Sequence, residues 1–237
     1  MKTFVIHPDK FKERGIHMER MLSDAGLRYE FVNEGHDDAQ TDVYLNSFLK
    51  NGREKMLSRS SRSLCTISHF LAYQLILQNE LDGALIMEDD TVLYKNFKQL
   101  FEQSMVEYRQ RYADKKVIIS YEDSSLQFVP RSKRKKGQML YAATKDRMAG
   151  VYFINRQAAQ AMLNRLKNEP ADVAIDVYHN QLIKEGFIDY LWCQPALATQ
   201  GSFTGAFRST LSKKKDHMIK FRWWFKKNYK KLLYNLR

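Results

Sequence analysis

The chain has 237 residues, enough to bury one large α/β core with a short appendage. It carries a net charge of +12, but the excess is local: residues 213–237 hold a balance of +9, Arg131 to Lys136 add five cations, and the remainder stands at −2. That distribution excludes a protein that grips a polyanion over its whole face. There is no apolar run of about 18 residues to span a bilayer, and Cys65 and Cys193 lie far apart without metal-ligand spacing, as befits reduced thiols packed as small hydrophobes.

In chain order, residues 3–6 read as a strand, and the apolar run between Met1 and Pro8 is too short for a signal peptide, which predicts a cytoplasmic protein. A helix from Phe11 to Ala25, closed by Gly26, and a strand from Tyr29 to Val32 complete a β-α-β opening of the nucleotide-binding kind. Residues 35–62 are polar and irregular, and the Ser58-to-Ser63 segment reads as a mobile loop. A helix from Leu64 to Asn79 turns Ile67, Leu71, Leu75 and either Phe70 or Gln74 past the core. It leads into the strand Leu85-Ile86-Met87. Phe97 to Tyr112 is a second amphipathic helix, Lys116 to Ser120 a short buried strand that runs into Glu122 and Asp123, and Arg131 to Lys136 an exposed loop. Gly150 to Ile154 is a strand, Arg156 to Lys167 and Asp176 to Lys184 are helices, and Phe187 to Trp192 is strand-like. The alternation predicts a mixed, three-layer α/β domain.

The strand that begins after Asp82-Gly83 ends on Glu88-Asp89-Asp90. Acids at the carboxyl edge of a sheet stand where α/β proteins place ligands. Three crowded carboxylates repel one another and are most stable around a hard divalent cation that itself carries phosphates. An ordinary acidic turn after a strand would have the same sequence, so the residues alone leave both readings open.

Taken together, several segments resemble glycosyltransferase family 25, the group of bacterial lipooligosaccharide galactosyl- and glucosyltransferases and collagen galactosyltransferase domains. They are Val5-Ile6 with Arg14, Ser68-His69, Ala84 to Asp90, Gly150 to Ile154 with Ala158 to Met162, Asp176, and Gln194 to Gln200. The order and spacing match from residue 3 to about residue 205. Two departures stand out: the family's Glu-x-Gly-Cys before Ser-His reads Arg62-Ser63-Leu64-Cys65, and the Asn-Leu pair after the first strand reads His7-Pro8.

The resemblance implies a GT-A-like fold with a mixed sheet flanked by helices, a UDP-sugar donor, a divalent cation (Mn2+ or Mg2+) and inverting transfer of a hexose, galactose, to a lipid-linked glycan. It makes Asp90 the principal metal ligand, with Glu88 beside it, and puts Glu88 and Asp89 near the donor; His69 would orient the donor or be a satisfied structural histidine, and Arg14 would pair with a donor phosphate or be an ordinary surface residue of the first helix. Asp176 would be the base that takes the acceptor's proton; a first-turn helix residue is the competing reading. His179, three residues on, could share its face. Glu122 and Asp123 could serve as weaker candidates or as solvated turn residues.

From His217 to Leu236 the chain plots as a helix with an apolar face (Met218, Phe221, Phe225, Tyr229, Leu232, Leu233, Leu236), a cationic face (Lys220, Lys226, Lys227, Lys230, Lys231), and Trp223 and Trp224 at the flanks. That is the make-up of a helix lying in an anionic membrane surface, which predicts a catalytic domain over residues 1–210 and a membrane-associating tail over 211–237, on the inner face of the cytoplasmic membrane. The same helix could instead bury its apolar side on the domain. The near-neutral body excludes nucleic acid as a partner. Two other functions share these residues: an inactive membrane-bound binding module of the same fold, and a metal-dependent phosphohydrolase.

Overall fold

A computed structural model describes residues 1–33, 38–204, 207 and 219–236. It opens as expected, with β1 (Lys2–Ile6), α1 (Lys12–Asp24) and β2 (Arg28–Val32), and β1 pairs in parallel with β2. The polar stretch that follows contains α2 (Asp38–Phe48), so part of the segment expected to be irregular over 35–62 is helical; residues 50–60 are irregular as expected, and residues 35–37 lie outside the described residues. Phe48, Leu49 and Leu45 are buried, spaced so that one side of α2 faces the core.

α3 (Ser61–Gln78) starts inside the segment expected to be mobile, because Ser60 is an N-cap whose hydroxyl accepts from the Ser63 N–H at 3.2 Å. Serines that read as loop composition are here a helix start. β3 (Gly83–Glu88) is followed directly by a short β4 (Thr91–Leu93), then α4 (Phe97–Arg111) and β5 (Val117–Ser120). The exposed basic loop is confirmed, with a single 3-10 turn at Arg131–Lys133, and leads into β6 (Leu140–Ala142). β7 (Val151–Asn155) runs without a break into α5 (Arg156–Asn168): the Asn155 side-chain oxygen accepts from Ala158 N and also from Val117 N on the neighbouring strand, both at 3.0 Å. α6 (Ile175–Lys184), β8 (Asp189–Cys193), β9 (Ala198–Gln200), the single turn α7 (Gly201–Thr204) and α8 (Ile219–Leu236) complete the chain.

The strands form a seven-stranded mixed sheet in the order β2-β1-β3-β7-β5-β8-β6 and a two-stranded ribbon, β4-β9. β1, β2 and β3 are parallel; β7 is antiparallel to both its neighbours, β3 and β5. In the central strand β3, Ala84 to Met87 are almost wholly buried, as a strand covered on both faces requires. One core packs Ile67, Phe70, Tyr73 and Ile76 of α3 with Met162 and Leu166 of α5. The other packs Met18 and Leu22 of α1 with Phe97, Phe101 and Met105 of α4. The result is the three-layer arrangement, helices on both faces of a mixed sheet. It brings the ends of β1 and β3 together, with Ile6 opposite Glu88. Among the described residues no helix is long and apolar enough to cross a membrane.

Candidate active site

A cavity of about 480 Å³ opens where β1 and β3 end, lined by Arg14, Cys65, Glu88, Asp89, Asp90, Asp176, Gln200 and Ser202 among others. The sheet register supplies the acids, α1 supplies Arg14, and the start of α6 supplies Asp176. Five of the residues singled out in the sequence (Arg14, Glu88, Asp89, Asp90 and Asp176) therefore line one wall system.

The three acids have different environments. Asp89 is satisfied: Arg14 Nη1 donates to Oδ1 at 2.8 Å and His7 Nδ1 lies 3.0 Å from Oδ2. Gly15 makes room for this pair, since a Cβ there would stand 2.8 Å from His7 Nε2. Arg14 is thus committed first to a protein carboxylate, with its guanidinium over the Phe11 and Phe207 rings. His7, which replaces the family's asparagine, is the second partner that sequence reasoning did not single out.

Asp90 is buried too, but among the described residues its side-chain oxygens receive a single hydrogen bond, from Ser202 N to Oδ2 at 3.3 Å, and Oδ1 has no partner. Burial, and then the neighbouring Glu88, push its carboxyl up to about 6. A buried carboxylate with a bare oxygen beside a second carboxylate has the donor set and the charge deficit that a hard cation fits.

Glu88 is partly exposed. Its Oε2 accepts from Gln200 Nε2 at 2.6 Å, and Gly150 allows this crossing, because a Cβ at that position would stand 2.7 Å from the Gln200 side chain. Its Oε1 faces Cys65 Sγ and His69 Nε2, each at 3.6 Å. His69 is fully buried behind Glu88 and is not among the cavity-lining residues, with Nδ1 2.7 Å from the Tyr152 hydroxyl. Cys65 is half-buried, and burial followed by Glu88 pushes its thiol well up. It sits among polar groups rather than packing only as a small hydrophobe; Cys193, by contrast, is a buried core residue.

Asp176 stands in the first turn of α6, whose N-cap is Ala174 with no side-chain cap bond. It is partly exposed and lines the cavity. His179 does not reach the cavity. It is fully buried on the inner side of α6, bonded to Asp146 through Nδ1 at 2.7 Å and to the Tyr73 hydroxyl through Nε2 at 3.1 Å.

The family model for glycosyltransferase family 25 (LPS biosynthesis protein) matches residues 1–179. The chain belongs to this family. A Haemophilus influenzae protein named as a glycosyltransferase is 30% identical over 192 residues, covering 79% of this chain and 64% of that protein. The lipooligosaccharide biosynthesis protein lex-1 of the same organism is 27% identical over 177 residues, covering 70% and 58%. The chain therefore spans about three-fifths of the length of these relatives. Alignment with the solved galactosyltransferase LgtC, in complex with donor and acceptor sugar analogues, gives a TM-score of 0.41 at 12% identity, over 94% of this chain and 83% of that one.

The structure corrects the reading of two further regions. Glu122 and Asp123 are not solvated turn residues; both are buried. Glu122 Oε1 accepts from Gly150 N at 2.6 Å and Val151 N at 3.1 Å, and burial pushes its carboxyl well up. Asp123 receives Lys227 Nζ at 2.8 Å and the Tyr94 hydroxyl at 2.8 Å.

Lys227 therefore belongs to the docked side of α8, only 11% exposed, with its ammonium over the Tyr94 and Trp223 rings. Trp223 is half-buried on the same side. Tyr234 meets Phe128 edge-on. Phe221, Trp224, Phe225, Tyr229, Leu232 and Leu236 point outward and are exposed. The helix is docked, but through the side opposite its apolar stripe. His217 and Met218, assigned to this helix from the sequence, and the 210/211 boundary lie outside the described residues, and nothing is said of the Lys220 side chain.

Proposed function

We propose that this chain is a metal-assisted inverting hexosyltransferase that moves galactose from UDP-galactose to a lipid-linked cell-surface glycan such as lipooligosaccharide. The observation that carries the reading is the bare, buried Asp90 oxygen beside Glu88 on the wall of a cavity that also holds Asp176.

Asp90 and Glu88 would hold Mn2+ or Mg2+, and such an ion, when bound, neutralises charge building on the diphosphate as it leaves. Asp89, fixed by Arg14 and His7, keeps the β3 edge in place and offers a neutralised acid rather than a third repelling charge. Asp176 accepts the proton of the acceptor hydroxyl as that oxygen bonds to the anomeric carbon and the bond to the diphosphate oxygen breaks. One displacement with one base gives inversion. The measurement is UDP release from a panel of UDP-sugars with manganese and with chelator. Metal-dependent turnover of one donor, lost in Asp90→Ala, supports the proposal; no release from any donor overturns it.

The outward face of α8 supports peripheral attachment of a tail over residues 211–237 to an anionic bilayer at the inner face of the cytoplasmic membrane. Phe221, Phe225, Tyr229, Leu232 and Leu236 form an exposed stripe, with Trp224 at one side and the exposed Lys226 and Lys231 flanking it. Each cation near such a surface adds on the order of 1 kcal/mol. Lys230 is half-buried and sits closer to the docked side. Flotation with phosphatidylserine-containing vesicles, and not with phosphatidylcholine alone, is expected, with loss in high salt. Binding to neither overturns this part.

A further inference from the structure

A hydrogen-bonded chain crosses the core beneath the cavity. Asp146 accepts from the Tyr190 hydroxyl at 2.5 Å and from His179 Nδ1 at 2.7 Å; His179 Nε2 lies 3.1 Å from the Tyr73 hydroxyl, Tyr73 2.6 Å from the Tyr152 hydroxyl, and Tyr152 2.7 Å from His69 Nδ1. Asp146, His179, Tyr73, Tyr152 and His69 are all buried.

With His179 neutral, the donors run in one direction. Its Nδ1–H donates to Asp146, so Nε2 accepts from Tyr73; Tyr73 in turn accepts from Tyr152, and Tyr152 accepts from His69 Nδ1–H. The network thereby assigns the His69 proton to Nδ1 and leaves Nε2 a bare lone pair. That atom is buried and has no hydrogen-bond partner among the described residues. Running the chain in reverse would put a proton on Nε2 with Glu88 Oε1 3.6 Å away, too far for an N–H to oxygen bond.

The lone pair instead faces two other ligand atoms. Cys65 Sγ, His69 Nε2 and a Glu88 carboxylate oxygen all lie within 4.8 Å of one another, and both contacts to Glu88 Oε1 are 3.6 Å. Around tetrahedral zinc, with Zn–S about 2.3 Å and Zn–N and Zn–O about 2.0 Å, the sulfur-to-oxygen edge is about 3.5 Å and the nitrogen-to-oxygen edge about 3.3 Å. The two edges that meet at Glu88 Oε1 thus have the length expected for ligands sharing an ion.

We propose that Cys65, His69 and Glu88 form a binding site for a borderline-soft divalent cation of the zinc class, adjoining the hard-cation position at Asp90 and sharing Glu88 with it. Thiolate, imidazole and carboxylate are ligands such an ion accepts, whereas manganese and magnesium favour oxygen alone. Cys65 and Glu88 line the cavity, so the fourth coordination position opens toward it, as in zinc sites that bind a substrate atom. Tyr152 is a positioning residue: it holds the His69 ring and tautomer from behind, the usual arrangement for a ligating histidine. Cysteine and histidine at i and i+4 on α3 share one face, and Glu88 is brought to them only by the fold.

The test uses the full chain, stripped with chelator and titrated with cobalt(II) as a spectroscopic stand-in for zinc. One equivalent is expected to bind with a thiolate-to-cobalt charge-transfer band in the near ultraviolet, displaced by zinc. Cys65→Ser loses the band while its circular dichroism is unchanged, and Asp90→Asn keeps it. Tyr152→Phe keeps the band at saturation but weakens affinity roughly 10- to 100-fold. A wild-type protein that shows no thiolate band at saturating cobalt, or a band that survives Cys65→Ser, overturns the site. The readout needs no turnover, so its failure is separable from failure of the transferase reading, which UDP release decides.

Discussion

Two strands of the sheet, β3 and β5, end on or just before acids, and only one of these ends faces the cavity. Glu88 ends β3 and Asp89 and Asp90 follow it directly; Glu122 and Asp123 follow β5 by two and three residues. At the β5 end both acids hold other parts of the fold: Glu122 takes the Gly150 and Val151 N–H groups on Oε1, while its Oε2 is buried without a hydrogen-bond partner among the described residues, and Asp123 holds Lys227 and Tyr94. At the β3 end, Asp89 has Arg14 and His7, while Asp90 keeps an oxygen with no partner. An unpaired carboxylate oxygen occurs at both ends, then, and what separates them is that Asp90 lines the cavity whereas Glu122 is shut in the core.

The largest effects test whether the cavity acids do chemistry. Asp176→Asn is expected to lower donor turnover on the order of 10²- to 10⁴-fold, the range for loss of a positioned base. Its stability should fall by only about 0.3–1 kcal/mol, the worth of an acid in a helix first turn. Thermal denaturation alongside UDP release separates the two: a stability loss without a turnover loss would return Asp176 to the helix.

Asp90→Asn is expected to reduce turnover on the order of 10²- to 10³-fold, as removal of one group that stabilises developing charge does. Its effect on stability has the opposite sign. The Asp90 carboxyl titrates at about 6 in the folded chain against an ordinary 3.8, so the folded state holds the proton more tightly. That favours folding fully below about pH 4 and is lost as the pH rises through 6, leaving a cost of up to about 3 kcal/mol in metal-free protein near pH 8. The asparagine variant escapes that cost. It should melt higher than wild type at pH 8 and equally at pH 4, a gain in stability bought with function. Equal melting at both pH values would show that Asp90 is satisfied like its neighbour.

At the β5 end the prediction concerns the fold. Lys227→Ala leaves Asp123 buried opposite a missing cation, which costs about 3 kcal/mol when one partner of a buried pair is removed. Urea denaturation should register that loss, together with release of α8 to protease, while UDP-sugar turnover in detergent solution stays near wild type. A turnover loss as large as that of Asp90→Asn would extend the site to this end.

How much of this was legible in the sequence follows the same division. Apolar runs such as Leu85 to Met87 and the 3.6-residue spacing of Ile67, Phe70 and Leu71 identified most of the central strands and the large helices, because burial on two faces or one stripe leaves a pattern in the chain. α2 was missed because its few core residues, Leu45 and Phe48, sit in a polar segment, and β4, β6 and β9 because three-residue strands are defined by their partners. The acids at 88–90, Arg14 and Asp176 were found as a set by resemblance. The distinctions among them were not, because the Arg14–Asp89 pair and the Asp123–Lys227 pair join residues 75 and 104 positions apart. Lys227 illustrates the limit: helical periodicity puts it on a cationic face, yet it is the partner acid, far back in the chain, that turns that face inward.

The smallest expected effect is the sharpest control on the comparison. Glu122 is completely buried, and that burial pushes its carboxyl well up. Glutamine is its near-isostere: a single carbonyl oxygen can still accept from Gly150 N and Val151 N. Glu122→Gln should therefore change stability by less than about 1 kcal/mol and leave turnover unaltered. Glu122→Ala, by contrast, strands two backbone donors in the core at about 1–3 kcal/mol each. Because Gly150 also carries the carbonyl that receives Glu88 N at 2.9 Å, the alanine variant should disturb the β3 edge as well. If the glutamine variant lost turnover while it kept its stability, a charge at 122 would be needed for chemistry, and the β5 acids would have to be counted with those of β3.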